Sequence, residues 1–280
     1  PPSFAVAQPL PGDPARELPA LLGDEEAALA LFQVGWAALM QGLVRDAEPC
    51  LLRAYELSGA TGQAAGAVIA ALQIAHLHAL RGELDATERW LQTSLDTAGQ
   101  AAEATWASIW PQIHQGFLWL LEDRFDLAEQ RFAAMEERLA PLAAFQSHRA
   151  SVKVGLGLTA LGQGRREQAR QLLTASVASP QALYGFVYVA ALHGLARLAA
   201  LDGRLDESRR MLLRALEYSR RRQLLPEYVR TAIEIGRIER DFGDPAPALG
   251  LLADAAELAR ECRLAALAAA AAALHQRLTG

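Results

Sequence analysis

The sequence predicts an all-α protein: a right-handed α-solenoid of about six antiparallel helix hairpins, closed by a C-terminal capping helix. Three observations predict it. Turn residues recur every 39–41 positions, at Gly42, Gly82, Asp123, Gly164, Gly203 and Gly243. Small residues stand at three fixed offsets from each turn, and one large apolar residue stands at a fourth. A fixed period of this length marks stacked supersecondary units, none of which can bury its apolar face alone.

The elements follow in order from the turns. Seven residues before each turn stand Gly35, Ala75, Gly116, Gly157, Ala196 and Gly236. Five after stand Ala47, Thr87, Ala128, Ala169, Ser208 and Ala248, and twelve after stand Ala54, Ser94, Met135, Ser176, Ala215 and Ala255. Among these eighteen only Met135 is large. Two helices cross closely only where side chains are small, so each turn joins a tight hairpin. Nine after each turn, Leu51, Leu91, Phe132, Leu173, Leu212 and Leu252 fill the space between hairpins. Glycine suits the turn because helices commonly end on a left-handed residue. First helices are placed near 25–41, 64–81, 103–122, 147–162, 181–201 and 226–241. Second helices fall near 44–58, 84–98, 125–138, 166–178, 205–222 and 245–261, with a cap at 264–278. Ser179-Pro180 and Asp244-Pro245 each set a capping side chain before a proline, Leu225-Pro226 starts another helix, and Pro111 kinks the third first helix or marks its true start. Residues 1–23, with six prolines, read as a linker or N-terminal extension, which fits a piece of a longer protein; residues 24–280 read as one repeat domain.

This small–turn–small–small spacing, over roughly Asp24 to Arg263, resembles the tetratricopeptide repeat. The period is near 40 rather than 34, and aliphatics and Ala, such as Leu31, Ala38 and Ala160, stand where that family places its large aromatics. The long period is similar to that of the sensor domains of the maltose-regulon activator and its LuxR-type relatives. The resemblance implies a non-catalytic protein-interaction or sensor module, with first helices lining a concave groove.

Composition sets bounds. The chain has 280 residues, 52% hydrophobic, and a net charge of −5. No basic stripe suggests nucleic-acid binding. Cys50 and Cys262 fall in the first and last repeats, too far apart for a disulfide, and a cytoplasmic setting is expected. No uninterrupted apolar run reaches the roughly 18 residues of a membrane span, so no membrane role is expected. No nucleophile, acid–base pair, metal set or phosphate loop stands out; neither an enzyme nor a cofactor is expected.

Groove positions follow from the repeat. Nine before each turn come Gln33, Gln73, His114, Gly155, Gly194 and Glu234; six before come Trp36, His76, Phe117, Leu158, Arg197 and Arg237. The next turns add Leu29, Ile69, Trp110, Ser151, Ala190 and Arg230, while His193 and Arg240 lie alongside. The expected groove is aromatic and amide-bearing at its start, bare in the middle, and Arg-rich at its end. It suits a peptide segment or a small anionic effector held by the arginines. The other reading is a scaffold or homo-oligomer acting through its convex face or termini.

Overall fold

A computed structural model describes residues 4–5, 7–100, 107–142, 144–178 and 184–279. These residues form fourteen α-helices and no strand. The helices are α1 (Pro14–Leu21), α2 (Asp24–Met40), α3 (Val44–Ala60), α4 (Ala64–Arg81), α5 (Leu84–Gln100), α6 (Ile109–Leu121) and α7 (Phe125–Leu139), followed by α8 (Gln146–Gly162), α9 (Arg166–Val177), α10 (Gly185–Leu201), α11 (Leu205–Arg221), α12 (Leu225–Phe242), α13 (Ala246–Glu261) and α14 (Ala265–Thr279). They pack as two compact units. Unit 1 comprises 1–111 with 256–270, and unit 2 comprises 112–255 with 271–280.

Five of the six turns share one hydrogen-bond pattern. Gly42 donates to the Leu39 carbonyl (3.0 Å) and Leu43 to that of Ala38 (2.8 Å), and the same pair closes the turns at Gly82, Asp123, Gly164 and Gly203. All five anchors have positive φ, which glycine adopts without strain; Asp123, at 56°, adopts it with a side chain. Gly243 differs. Its φ is −138°, and it donates back to the Glu239 carbonyl. The positive-φ turn also closes three junctions between hairpins, at Gly62, Gln223 and Arg263.

Every one of the eighteen small positions is buried, as is the large residue nine after each turn. The reason is steric. A Cβ on Gly35 would meet Leu51 at 2.8 Å, one on Gly116 would meet Phe132 at 2.6 Å, one on Gly157 would meet Leu173 at 2.8 Å, and one on Gly236 would meet Leu252 at 2.6 Å. Each glycine thus receives the large residue sixteen positions later in its own hairpin. Hydroxyls at small positions can add a bond, as when Ser94 donates to the Val68 carbonyl at 2.8 Å, tying α5 to α4.

Pro111 lies in the first turn of α6 and marks its start, where a missing N–H costs nothing. Asp244 accepts from the Ala246 N–H at 3.0 Å and caps α13. The expected Ser179-Pro180 cap lies outside the described residues. The N-terminal segment includes a helix: Ala15 and Leu18 of α1 pack against Ala27, Ala28 and Leu31, and the Leu10 N–H reaches Asp46 at 3.0 Å. One correction concerns apolar length. Helix α4 has 18 residues and a mean hydropathy of 1.2, enough by composition to cross a membrane. Its Val68, Leu72, Ile74 and Leu77 are buried, and it packs on α3 and α5.

Carboxylate–guanidinium ties link consecutive hairpins within each unit. Glu48 takes both terminal nitrogens of Arg81, at 2.9 and 2.6 Å. Glu129 takes Arg165 (2.6 Å) and Gln163 (3.0 Å), Arg170 takes Asp202 (2.6 Å), and Arg209 takes Glu239 through two bonds at 2.7 and 2.8 Å. The donor or acceptor on the earlier hairpin always stands six residues after its turn.

Candidate functional site

Of the residues the sequence assigns to a groove, unit 1 carries Gln33, Trp36, Gln73, His76 and Trp110, and unit 2 carries His114, Phe117, His193, Arg197, Arg230, Glu234, Arg237 and Arg240. In unit 1, Gln33 is exposed, Trp36 is 41% exposed, Gln73 is buried, and His76 and Trp110 are half-buried. Gln73 and Gln33 hold the same repeat position. Only Gln33 lacks a preceding hairpin to cover it.

This position corrects the expected bare middle of the groove. Gly155 and Gly194 are buried, and neither offers open backbone. The Phe132 ring fills the place of a Gly155 side chain, while Leu173 and Leu158 would meet a Gly194 Cβ at 2.7 and 2.8 Å. The position nine before a turn therefore packs on the preceding hairpin. Ser151 is also buried. The aromatic wall is likewise filled from within. Phe186, at the start of α10, approaches His114 (5.6 Å between ring centroids) and Phe117 (6.3 Å), and Phe117 meets Phe132 edge-on at 5.2 Å.

The structure brings together the Arg-rich end. On α12, Glu227, Arg230, Glu234 and Arg237 are spaced by three and four residues, so they share one helix face. From α10, Arg197 reaches Glu234 with two bonds, at 3.1 and 3.0 Å. Arg237 approaches the same carboxylate at 3.7 Å and is half exposed. Arg230 pairs at 2.8 Å with Glu227, a residue the sequence reading missed. Glu227 is 1% exposed, and its Oε2 has no hydrogen-bond partner. Burial pushes its carboxyl pKa up, which Arg230 partly opposes. Its signal in the sequence is the alternation Glu227, Arg230, Glu234, Arg237, Asp241 along one stripe.

His193 sits among these charges. Thr231 donates its hydroxyl hydrogen to the Glu227 carbonyl at 2.6 Å, so the 2.9 Å contact to His193 has Nε2–H as donor. Burial lowers the His193 pKa to about 4, outweighing the pull of Glu234, so the ring is neutral. Arg240 does not join the cluster. It forms two bonds with Asp241, at 2.6 and 3.1 Å. Three guanidiniums thus face two carboxylates across α10 and α12. Among the described residues no group of three or more His, Cys, Asp or Glu could hold a metal. Both cysteines are free, and burial raises the Cys50 thiol to about 11.

Residues 188–261 match the tetratricopeptide repeat family. The tetratricopeptide match covers most of α10, then α11, α12 and α13, and so includes His193, Arg197, Glu227, Arg230, Glu234 and Arg237. Tetratricopeptide-type repeats are protein-interaction modules. No curated protein matches the chain in sequence. Among solved structures the chain is similar to pilF of Pseudomonas aeruginosa, with 17% identity, a TM-score of 0.47, and coverage of 85% of this chain and 94% of that one.

Proposed function

We propose that the chain is a non-catalytic binding module, the regulatory sensor or interaction arm of a larger cytoplasmic signalling or transcription-regulating protein. Its guest is a peptide or small effector whose anionic group docks on the α10–α12 face. One observation carries this reading: Arg197 and Arg237, both about half exposed, share the single carboxylate of Glu234. An incoming carboxylate can take Arg237 whole and the free edge of Arg197 without leaving Glu234 unpaired. Such bidentate contacts are strong and directional. The face lies inside the tetratricopeptide-type segment, which supports a protein partner.

The test is a titration of peptides ending in Asp or Glu against wild type and Arg237→Ala. The reading expects binding that weakens several-fold in the variant and falls as salt rises from about 0.05 to 0.5 M, because exposed charges are screened. Equal affinity in both proteins rejects the site.

A further inference from the structure

The charge of the chain is unevenly divided. Unit 1 has fifteen acidic and seven basic residues, a net −8; unit 2 has seventeen and twenty, a net +3. On the α10–α12 face three guanidiniums meet two carboxylates, so most of the charge there is already paired. A concentration of further positive charge lies on α11 and its C-cap. Arg210, Arg214, Arg220 and Arg222 make no ion pair with a described residue, although Arg209 and Arg221 do. Arg210, Leu213, Arg214, Arg220 and Arg221 fall on one side of the helix together with the acids Asp206 and Glu217, opposite the buried Ser208, Leu212, Ala215 and Ser219, so arginines outnumber acids there four to two. Arg214 lies over the Tyr188 ring at 5.5 Å, which holds the guanidinium in place and leaves N–H edges for acceptors. In the middle of this face stands Leu213, 58% exposed.

Unit 1 has a counterpart. Asp24, Glu25 and Glu26 are consecutive, exposed and without ion pairs among the described residues. Leu21 and Leu22 precede them, and Leu29 follows one turn later, 61% exposed. Helix-end electrostatics account for acids in the first turn of α2 and for arginines in the last turn of α11. They do not account for Arg210 and Arg214 in mid-helix, nor for leucines left in water at both places.

We propose that the chain associates head to tail with a second copy of itself. The acidic, leucine-bearing edge of α1 and α2 in one copy docks on the arginine face of α11 in the next. Charge complementarity selects this occupant. An anionic lipid surface would suit the arginines but would repel Asp24–Glu26, leaving the leucines beside them uncovered. A second copy covers both faces through one contact. Each copy presents both halves, so a contact that is not exchanged reciprocally within one pair propagates into rings or chains. This inference stands apart from the α10–α12 site, which neither half includes.

The test is sedimentation of the intact chain. Wild type is expected to associate at about 0.05 M salt and to dissociate at about 0.5 M. Arg210→Glu with Arg214→Glu should be monomeric, and so should Asp24→Arg with Glu25→Arg and Glu26→Arg. An equimolar mixture of the two should associate again, because the reversed charges are complementary. Leu213→Ser, a change at an exposed position that leaves the fold untouched, should weaken association at least several-fold with an unchanged melting temperature. A wild-type monomer at every salt concentration up to about 100 μM protein overturns the proposal. So does a mixture that stays monomeric. Binding of phosphatidylserine vesicles through Arg210 and Arg214 with no self-association also overturns it, and assigns the face to lipid.

Discussion

The ring of Phe132 occupies the space that a side chain on Gly155 would need, although the two residues belong to consecutive hairpins. Phe132 also presses on Gly116 of its own hairpin, so two glycines frame one ring. Gly155→Ala should therefore destabilise the protein. Helix propensity favours Ala by about 1 kcal/mol, but overpacking costs about 1–3 kcal/mol. Phe132→Leu should relieve that strain, so the double variant should be more stable than the sum of the two single changes implies. Urea midpoints of all four proteins measure this coupling, and strict additivity would show that the ring does not bear on Gly155.

Arg230 and Arg237 should behave differently when truncated, although the sequence gives them the same role. Arg230 is the partner of Glu227, which is 1% exposed. Arg230→Ala leaves a buried carboxylate uncompensated and should cost about 3 kcal/mol. Arg237 is half exposed and stands 3.7 Å from a carboxylate that Arg197 already holds, so Arg237→Ala should cost under about 0.5 kcal/mol. Thermal melts of the two variants decide the matter.

The Arg209–Glu239 tie should be asymmetric in the same manner. Glu239 is buried and Arg209 is substantially exposed. Arg209→Ala strands the acid and should cost about 1–3 kcal/mol, whereas Glu239→Gln keeps a neutral acceptor and returns the arginine to water, for about 1 kcal/mol or less. Equal losses in denaturant would indicate that Glu239 gains water when its partner leaves.

His193 predicts a pH dependence. Its pKa is about 4 in the folded chain against an ordinary 6.5. Between those values the unfolded chain binds a proton that the native chain excludes, so stability is full above pH 6.5 and declines as pH falls toward 4. The loss reaches at most about 3 kcal/mol. Glu227 acts in the opposite sense, since its raised pKa favours the folded state at low pH and that contribution fades as pH rises. His193→Gln should flatten the dependence of melting temperature on pH between 7 and 5. Parallel profiles for wild type and variant would show that the native histidine protonates freely.

The repeat was legible in the sequence because one constraint acts on each of its key positions. Gly35 and Ala128 are small because helices cross there, and nothing else competes. Gly243 fits the spacing but not the left-handed geometry, since the chain leaves α12 with Asp244 and Pro245 rather than through the shared turn. The site was less legible because its positions serve two masters. Gly155 and Gly194 fall on the face assigned to a groove, yet the side chains of the preceding hairpin fill them. Glu227 lies sixteen residues from its turn, outside the offsets that define the repeat, so only the alternating charges of α12 mark it. Phe186 likewise follows no repeat position, and it covers His114 and Phe117 from within the unit.

The ties between hairpins reverse polarity along unit 2. Glu129 meets Arg165 and Gln163, whereas Arg170 meets Asp202 and Arg209 meets Glu239. Hairpins with interchangeable backbones are therefore not interchangeable in order. Exchanging the fourth and fifth would set Glu129 against Asp202 and Arg209 against Arg165. Duplication and recombination could lengthen such an array only where the incoming segment carried the matching sign. The charge sequence works as an assembly key, and it limits which shuffled or lengthened descendants of this chain could fold.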